Sequence, residues 1–427
     1  MVNVSVVRPR LKGVLKGAAV MGTVAVLAAA CSSSSKSSTG SNSSTSAPSG
    51  SAAPAGSSGS GNKAAITVAM LNETSGTFAS QFSPNVPGVQ AWVDYENANG
   101  GIDGHHINLK VYDNQSNPTT AVANAHQAVE SGAVAIIDTD PLFDSYATYL
   151  ASQQEPVFGW GITPGFYGTN KSNFFSFIGN LTTGASDTAT KFFLQNGNRS
   201  KWAELSDPSP ADSLDIKAVA AALPSQGGQL VYSNYSIDAN NAASLLSVAQ
   251  AVKNSGAQIV QIASTGSSEP QLQADLAQVG ASNIWVVSGS DYAANLPQQF
   301  GSGLNNYVFE SFTAPPFDSA QGVQTYVTAM KQYQPSADYN VFNSLVGWSG
   351  ASLLGATIDN LHGGAVTKSS LISAGNSLQG VTDNGLWAPV SYPTERTEPV
   401  RCLSFSQVQN GKWVLISGTA SNPFFCG

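Results

Sequence analysis

The residues of this chain able to carry chemistry are three cysteines, four histidines and 26 carboxylates, and their spacing excludes most reactions. His105 and His106 are adjacent, and neighbours on a strand-like turn point apart, so they do not chelate together. His126 and His362 fall in separate helical stretches, with no second histidine or cysteine beside either. Cys402 and Cys426 have no histidine nearby to activate a thiolate. Gly227-Gly228 lacks both the Gly-x-Gly-x-x-Gly and the phosphate-loop pattern. With no grouping of nucleophile, base and orienting residue, the expectation is a protein that is no enzyme and carries no cofactor and no metal. What remains is recognition by carboxylates and hydroxyls at the ends of strands.

Compartment is written at the N-terminus. Arg8, Arg10, Lys12 and Lys16 precede an apolar run from Gly17 to Ala30, and the run ends at Cys31. This is a secretory signal, too short to span a bilayer that needs roughly 20 apolar residues. Cys31, followed by four serines, resembles the lipidated cysteine of a bacterial lipoprotein. Ordinary cleavage after Ala28-Ala29-Ala30 is the alternative. Residues 32–62 are almost entirely Ser, Gly, Ala, Pro and Thr and read as a flexible tether. In such a compartment Cys402 and Cys426 are expected to form a disulfide, closing a loop worth roughly 3 kcal/mol in the chain-entropy picture.

The full chain has a formal charge of −8, and losing the four basic residues of the leader leaves 14 Lys and Arg against 26 acids, a net of −12. An acidic body without a basic block argues against nucleic acid as a partner.

From about residue 64 onward strands and helices alternate. Ile66–Leu71, Ile107–Val111 and Val134–Ile137 read as strands, with helices over Gly88–Asn99 and Pro118–Ser131. Asn117 is a suitable N-cap for the latter, Pro118 suits its first position and Gly132 its stop. The rhythm restarts with strands at Trp202–Leu205, Leu230–Tyr235, Ile259–Ala263 and Ile284–Val287, and helices near Asp212–Leu223, Ala242–Lys253 and Gln271–Val279. Late helices near Ala320–Tyr333 and Phe342–Leu361 precede a terminal β segment, Val400–Val408 with Trp413–Ile416. The expected fold class is α/β, with two Rossmann-like lobes on parallel sheets and a ligand cleft at the carboxyl ends of the strands.

Asn97-Ala98-Asn99-Gly100-Gly101-Ile102-Asp103-Gly104, Asp113-Asn114-Gln115-Ser116-Asn117-Pro118, Pro156-Val157-Phe158-Gly159-Trp160-Gly161 and Gly385-Leu386-Trp387-Ala388-Pro389-Val390 occur in this order. They resemble type I periplasmic solute-binding proteins, in particular the leucine/isoleucine/valine-binding group that serves ABC importers. The resemblance implies a three-strand hinge. Lobe one would comprise 64–178 with 314–376, and lobe two 179–313 with 377–427. It also implies ligand-binding positions. In lobe one these are Thr74 and Ser75 after the first strand, Asp144 and Ser145 after the fourth, and Trp160, Gly161 and Ile162 in the loop that grips the α-carboxylate and ammonium. In lobe two they are Asp207, Thr265, Ser267 and Asp291, the last as partner for a ligand ammonium. Ile162 replaces a hydroxyl-bearing residue, and the tyrosine wall common near Asp207 is absent, which weakens the case for a branched-chain amino acid.

The expected function is therefore capture of a small polar molecule, amino-acid or amide-like, by a monomer lipid-anchored at Cys31 outside the cytoplasmic membrane, for delivery to an ABC permease. A ligand sensor facing a signalling receptor, and a secreted hydrolase using Asp144 or Asp291, are the alternatives.

Overall fold

The computed structural model describes residues 63–180, 187–208, 210–264, 268–289, 291–398 and 401–427. Cys31, Thr265 and Ser267 lie outside them. Strands β1 (Lys63–Asn72), β2 (His105–Asp113), β3 (Ala135–Asp138), β4 (Val157–Gly159) and β5 (Phe174–Ser176) form a parallel sheet in the order β2-β1-β3-β4-β5. Its central strands are apolar on both faces, as a sheet covered by helices requires: Val68, Ala69, Met70 and Leu71 are all fully buried. The second sheet is built from β6 (Lys201–Ser206), β7 (Gln229–Asn234), β8 (Ile259–Ala263), β9 (Trp285–Ser288) and β10 (Tyr307–Ser311), parallel in the order β7-β6-β8-β9-β10. It is extended by an antiparallel tail, β11 (Cys402–Gln409), β12 (Lys412–Leu415) and β13 (Phe424–Cys426). The α/β class with two lobes is as the sequence pattern implies. Cys402 and Cys426 are joined, facing each other across β11 and β13.

Helix Pro118–Glu130 starts where its cap residue dictates: the Asn117 side chain accepts from the amides of Thr119 and Thr120. The chain leaves the first sheet after β5, returns to it after β10 through helices 321–333, 342–359 and 368–375, and crosses back before β11. Helix Phe342–Asp359 is buried all round and lies against helix Asn85–Ala98. Two glycines allow that approach. A Cβ on Gly88 would sit 1.9 Å from the Ser344 carbonyl oxygen, and one on Gly347 2.0 Å from that of Asn85. Gly347→Ala is expected to prise the two helices apart and cost about 1–3 kcal/mol, read as a lower urea midpoint with an unchanged m-value.

Among the described residues no helix is long and apolar enough to cross a membrane, and no group of His, Cys, Asp or Glu is placed to hold a metal ion.

Candidate functional site

A cavity of about 300 Å³ opens between the carboxyl ends of the two sheets. Thr77, Phe78 and Gln81 reach it from the segment after β1, Ser264 from the end of β8, Asp291 and Tyr292 from the loop after β9, and Phe342 and Asn343 from the start of the buried helix. Asp291 is held from behind. Its amide donates to Ser288 Oγ at 2.9 Å and its carbonyl accepts from the Tyr307 hydroxyl at 3.0 Å. Ser288 Oγ in turn donates to Glu269, whose other oxygen accepts from the Ser264 amide at 2.9 Å. The backbone of this loop is fixed, yet Asp291 Oδ2 is buried with no hydrogen-bond partner among the described residues. Burial lifts its carboxyl to about 7.

On the lobe-one side three carboxyls converge at the carboxyl end of the first sheet. Glu73 follows β1, and Asp138 and Asp140 close β3; all three are buried. The Tyr146 hydroxyl shares its one proton between Asp138 at 2.7 Å and Asp140 at 3.0 Å. Asn114 donates to Asp140, and the Ser116 amide to Glu73. Glu73 and Asp140 are close enough that each acts on the other's carboxyl. Burial first, and then the Asp140 charge, raises Glu73 to about 7. Asp138 is raised well above the usual range for the same two reasons, and burial raises Asp140 as well. Asp113 behaves oppositely: against some burial, the Ser75 hydroxyl and the amides of Gln115, Thr74 and Ser75 hold it down at about 2.

A chain of ring contacts runs behind the cavity from one lobe to the other. Trp413 meets Tyr292 at 4.9 Å, Tyr292 meets Phe309 at 5.1 Å, Phe309 meets Phe342 at 5.2 Å, and Phe342 meets Trp160 at 5.5 Å. Such edge and tilted pairs stabilise beyond their buried area. A smaller cavity of about 180 Å³ lies where the crossings meet, against Phe177, Phe312, Pro389 and the disulfide.

A family model described as periplasmic binding protein matches residues 65–412. The chain belongs to the periplasmic binding protein family. No curated protein sequence matches it. Solved structures similar to this periplasmic binding protein share the type I fold at low identity. An ABC transporter substrate-binding protein of Aeropyrum pernix is 19% identical with a TM-score of 0.71, covering 86% of this chain and 97% of that one. A branched-chain amino acid ABC transporter protein of Thermus thermophilus with bound valine is 12% identical with a TM-score of 0.72, over the same shares. A solute-binding protein of R. palustris in complex with benzoate is 15% identical with a TM-score of 0.65, covering 85% and 98%.

The structure spreads the expected ligand-binding residues of this periplasmic binding protein over several environments. Asp291 lines the cavity. It does not cap the next helix, whose N-cap is Asn295. Trp160 sits one layer behind, buried in the core between Phe82 and Phe342, with an unpartnered indole N–H. Gly161, at φ +67°, passes so close to Tyr167 that a Cβ would lie 2.6 Å from its hydroxyl, and Ile162 packs against the same core. Thr74 and Ser75 are exposed and bound to Asp113, with Ser75 Oγ donating at 2.6 Å. Asp144 accepts from the Gly165 amide at 2.7 Å and so ties its turn to the loop after β4, while Ser145 donates to the Leu142 carbonyl at 2.8 Å within its own turn. Asp207 is buried at the end of β6, its amide donating to the Ala263 carbonyl at 3.3 Å.

Phe78, Tyr292 and Phe342 were not among the expected contacts. Tyr292 adjoins Asp291 and was findable from that position. Phe342 was not, because a helix buried on every side shows no face pattern in the sequence.

Proposed function

We propose that this chain is an extracytoplasmic solute-binding lipoprotein, anchored through Cys31, that captures a small polar molecule between its lobes and delivers it to an ABC importer without chemical change. The lobes are 64–178 with 314–376, and 179–313 with 377–427. The observation that carries this reading is the cavity between the two sheets, to which both lobes contribute walls and to which Asp291 presents an unsatisfied carboxyl oxygen. Its volume stands at the lower end of the range for small-molecule sites, roughly 300–1,000 Å³. A ligand touching both walls favours the closed arrangement by its differential affinity. Micromolar binding, about −8.2 kcal/mol, needs only a few good polar contacts and a buried apolar part.

The test is thermal unfolding of the mature protein against amino acids, amides, urea-like compounds, amines, polyols and aromatic acids. A bound compound at 100 times its Kd stabilises by about 2.7 kcal/mol. X-ray scattering with any hit should show a smaller radius of gyration. A panel that neither raises the melting temperature nor compacts the protein would contradict the proposal.

A further inference from the structure

Resting on that reading, we infer that the cavity is built for an organic cation with an alkylated ammonium group and no carboxylate of its own. Three features of the lining carry this. Its one charged side chain among the described residues is Asp291, and no Lys, Arg or His accompanies it. A zwitterionic or anionic guest would bring a carboxylate with no cationic side chain to meet it, whereas a cation meets a carboxylate whose Oδ2 is otherwise unpartnered. The remaining walls supply the rings of Phe78, Tyr292 and Phe342. Aromatic faces attract a soft, poorly hydrated ammonium by their negative quadrupole, and a carboxylate set among rings is the arrangement that recognises quaternary ammonium groups.

The rings are also held in place. Tyr292 and Phe342 both rest on Phe309, at 5.1 and 5.2 Å, and Trp413 and Trp160 support them from the far sides. Rings braced on two sides lose little freedom when a guest arrives. The hydroxyl of Thr77 and the side-chain amides of Gln81 and Asn343 provide hydrogen bonds for a single polar substituent on the cation.

Protonation gives an independent signature. With its carboxyl at about 7 in the empty cavity, Asp291 must release a proton to hold a cation near neutrality. Affinity for a permanent cation should then strengthen about tenfold between pH 6 and pH 8. A guest that needs the protonated acid would show the reverse slope.

The experiment is calorimetry and thermal unfolding of the mature protein with choline and tetramethylammonium, beside the uncharged choline isostere 3,3-dimethylbutan-1-ol, leucine and isovaleramide. The expected result is cation binding at least tenfold tighter than that of the isostere, with proton release seen as a buffer-dependent enthalpy. Asp291→Asn should lose at least tenfold for the cations together with the pH slope. Phe342→Leu should lose three- to tenfold for the cations and less than twofold for the isostere. Equal binding of choline and its isostere, or binding of leucine or the amide without the cations, overturns the cation assignment and leaves solute capture standing. Silence of the cations overturns it equally, and a chain that no compound compacts or stabilises loses both readings. The pH slope of the unmodified protein decides the matter even if a variant fails to fold.

Discussion

Arg396→Ala is expected to cost about 3–4 kcal/mol, lowering the melting temperature by roughly 5 °C at an unfolding entropy near 2.1 cal/mol/K per residue. Arg396 is 4% exposed and has no carboxylate partner among the described residues. Its guanidinium is satisfied instead by carbonyl oxygens. Nε donates to Lys171 at 2.8 Å, one terminal nitrogen to the Asn376 side chain at 2.6 Å, and the other to Ser172 at 2.9 Å. The plane lies 4.8 Å from the Tyr392 ring and 5.0 Å from that of Phe175. This residue therefore rivets the last crossing between the lobes to the end of the first sheet, helped by Asn180, which donates to the Arg396 carbonyl at 2.7 Å. Truncation takes a donor from each of these acceptors and opens a gap between two rings; the Lys171 and Ser172 carbonyls keep the Phe174 amide and the Asn376 Nδ2 as donors, and the Asn376 oxygen loses its own. Arg396→Lys should recover less than half of the loss, since an ammonium cannot serve three acceptors in the guanidinium plane. Denaturant unfolding of both variants measures the difference. Equal stability of wild type and alanine variant would show the cluster to be dispensable.

Glu73→Gln should stabilise the protein at pH 8 by about 2–3 kcal/mol, or roughly 3–4 °C, and leave it unchanged at pH 4. The sign follows from the raised carboxyl. Glu73 titrates at about 7 when folded, against 4.5 for the free side chain. Between those values the native state holds a proton that the unfolded chain has released. The native state is then fully favoured below about 4.5 and loses that advantage as the pH rises through about 7. Asp138 and Asp140 are shifted in the same direction and add to the slope. Glutamine reproduces the neutral, protonated acid in size and shape, and its carbonyl accepts from the Ser116 amide. Melting curves from pH 4 to pH 8 should fall steadily for wild type and more gently for the variant. A wild-type curve that rises over that interval would contradict the assignment.

These two clusters mark where sequence reading stops. Strands such as Ile66–Leu71 and Ile259–Ala263 were legible because long apolar β-branched runs are bounded by polar turns, and the helix after Asn117 because its cap, proline and glycine agree. β4 and β5 have three residues each, too short for any periodic pattern to register. Asp291 could be placed from its position after a strand. Glu73, Asp138 and Asp140 read as ordinary loop acids, because a sequence shows a charge and not the proton that cancels it. Nothing in the sequence around Arg396 marks it for burial; only the fold reveals that residues 171–172 and 376 converge on it from positions over 200 and 20 places away.

The place of β1 has a mechanical consequence. The described chain enters the fold through an interior strand, paired with β2 from Ile66 to Asn72 and with β3 on its other edge. Tension arriving along the polypeptide from residue 62 would load those ladders in shear, with many hydrogen bonds sharing the force at once instead of opening one after another. A body tugged by whatever precedes Lys63 would thus keep its first sheet intact.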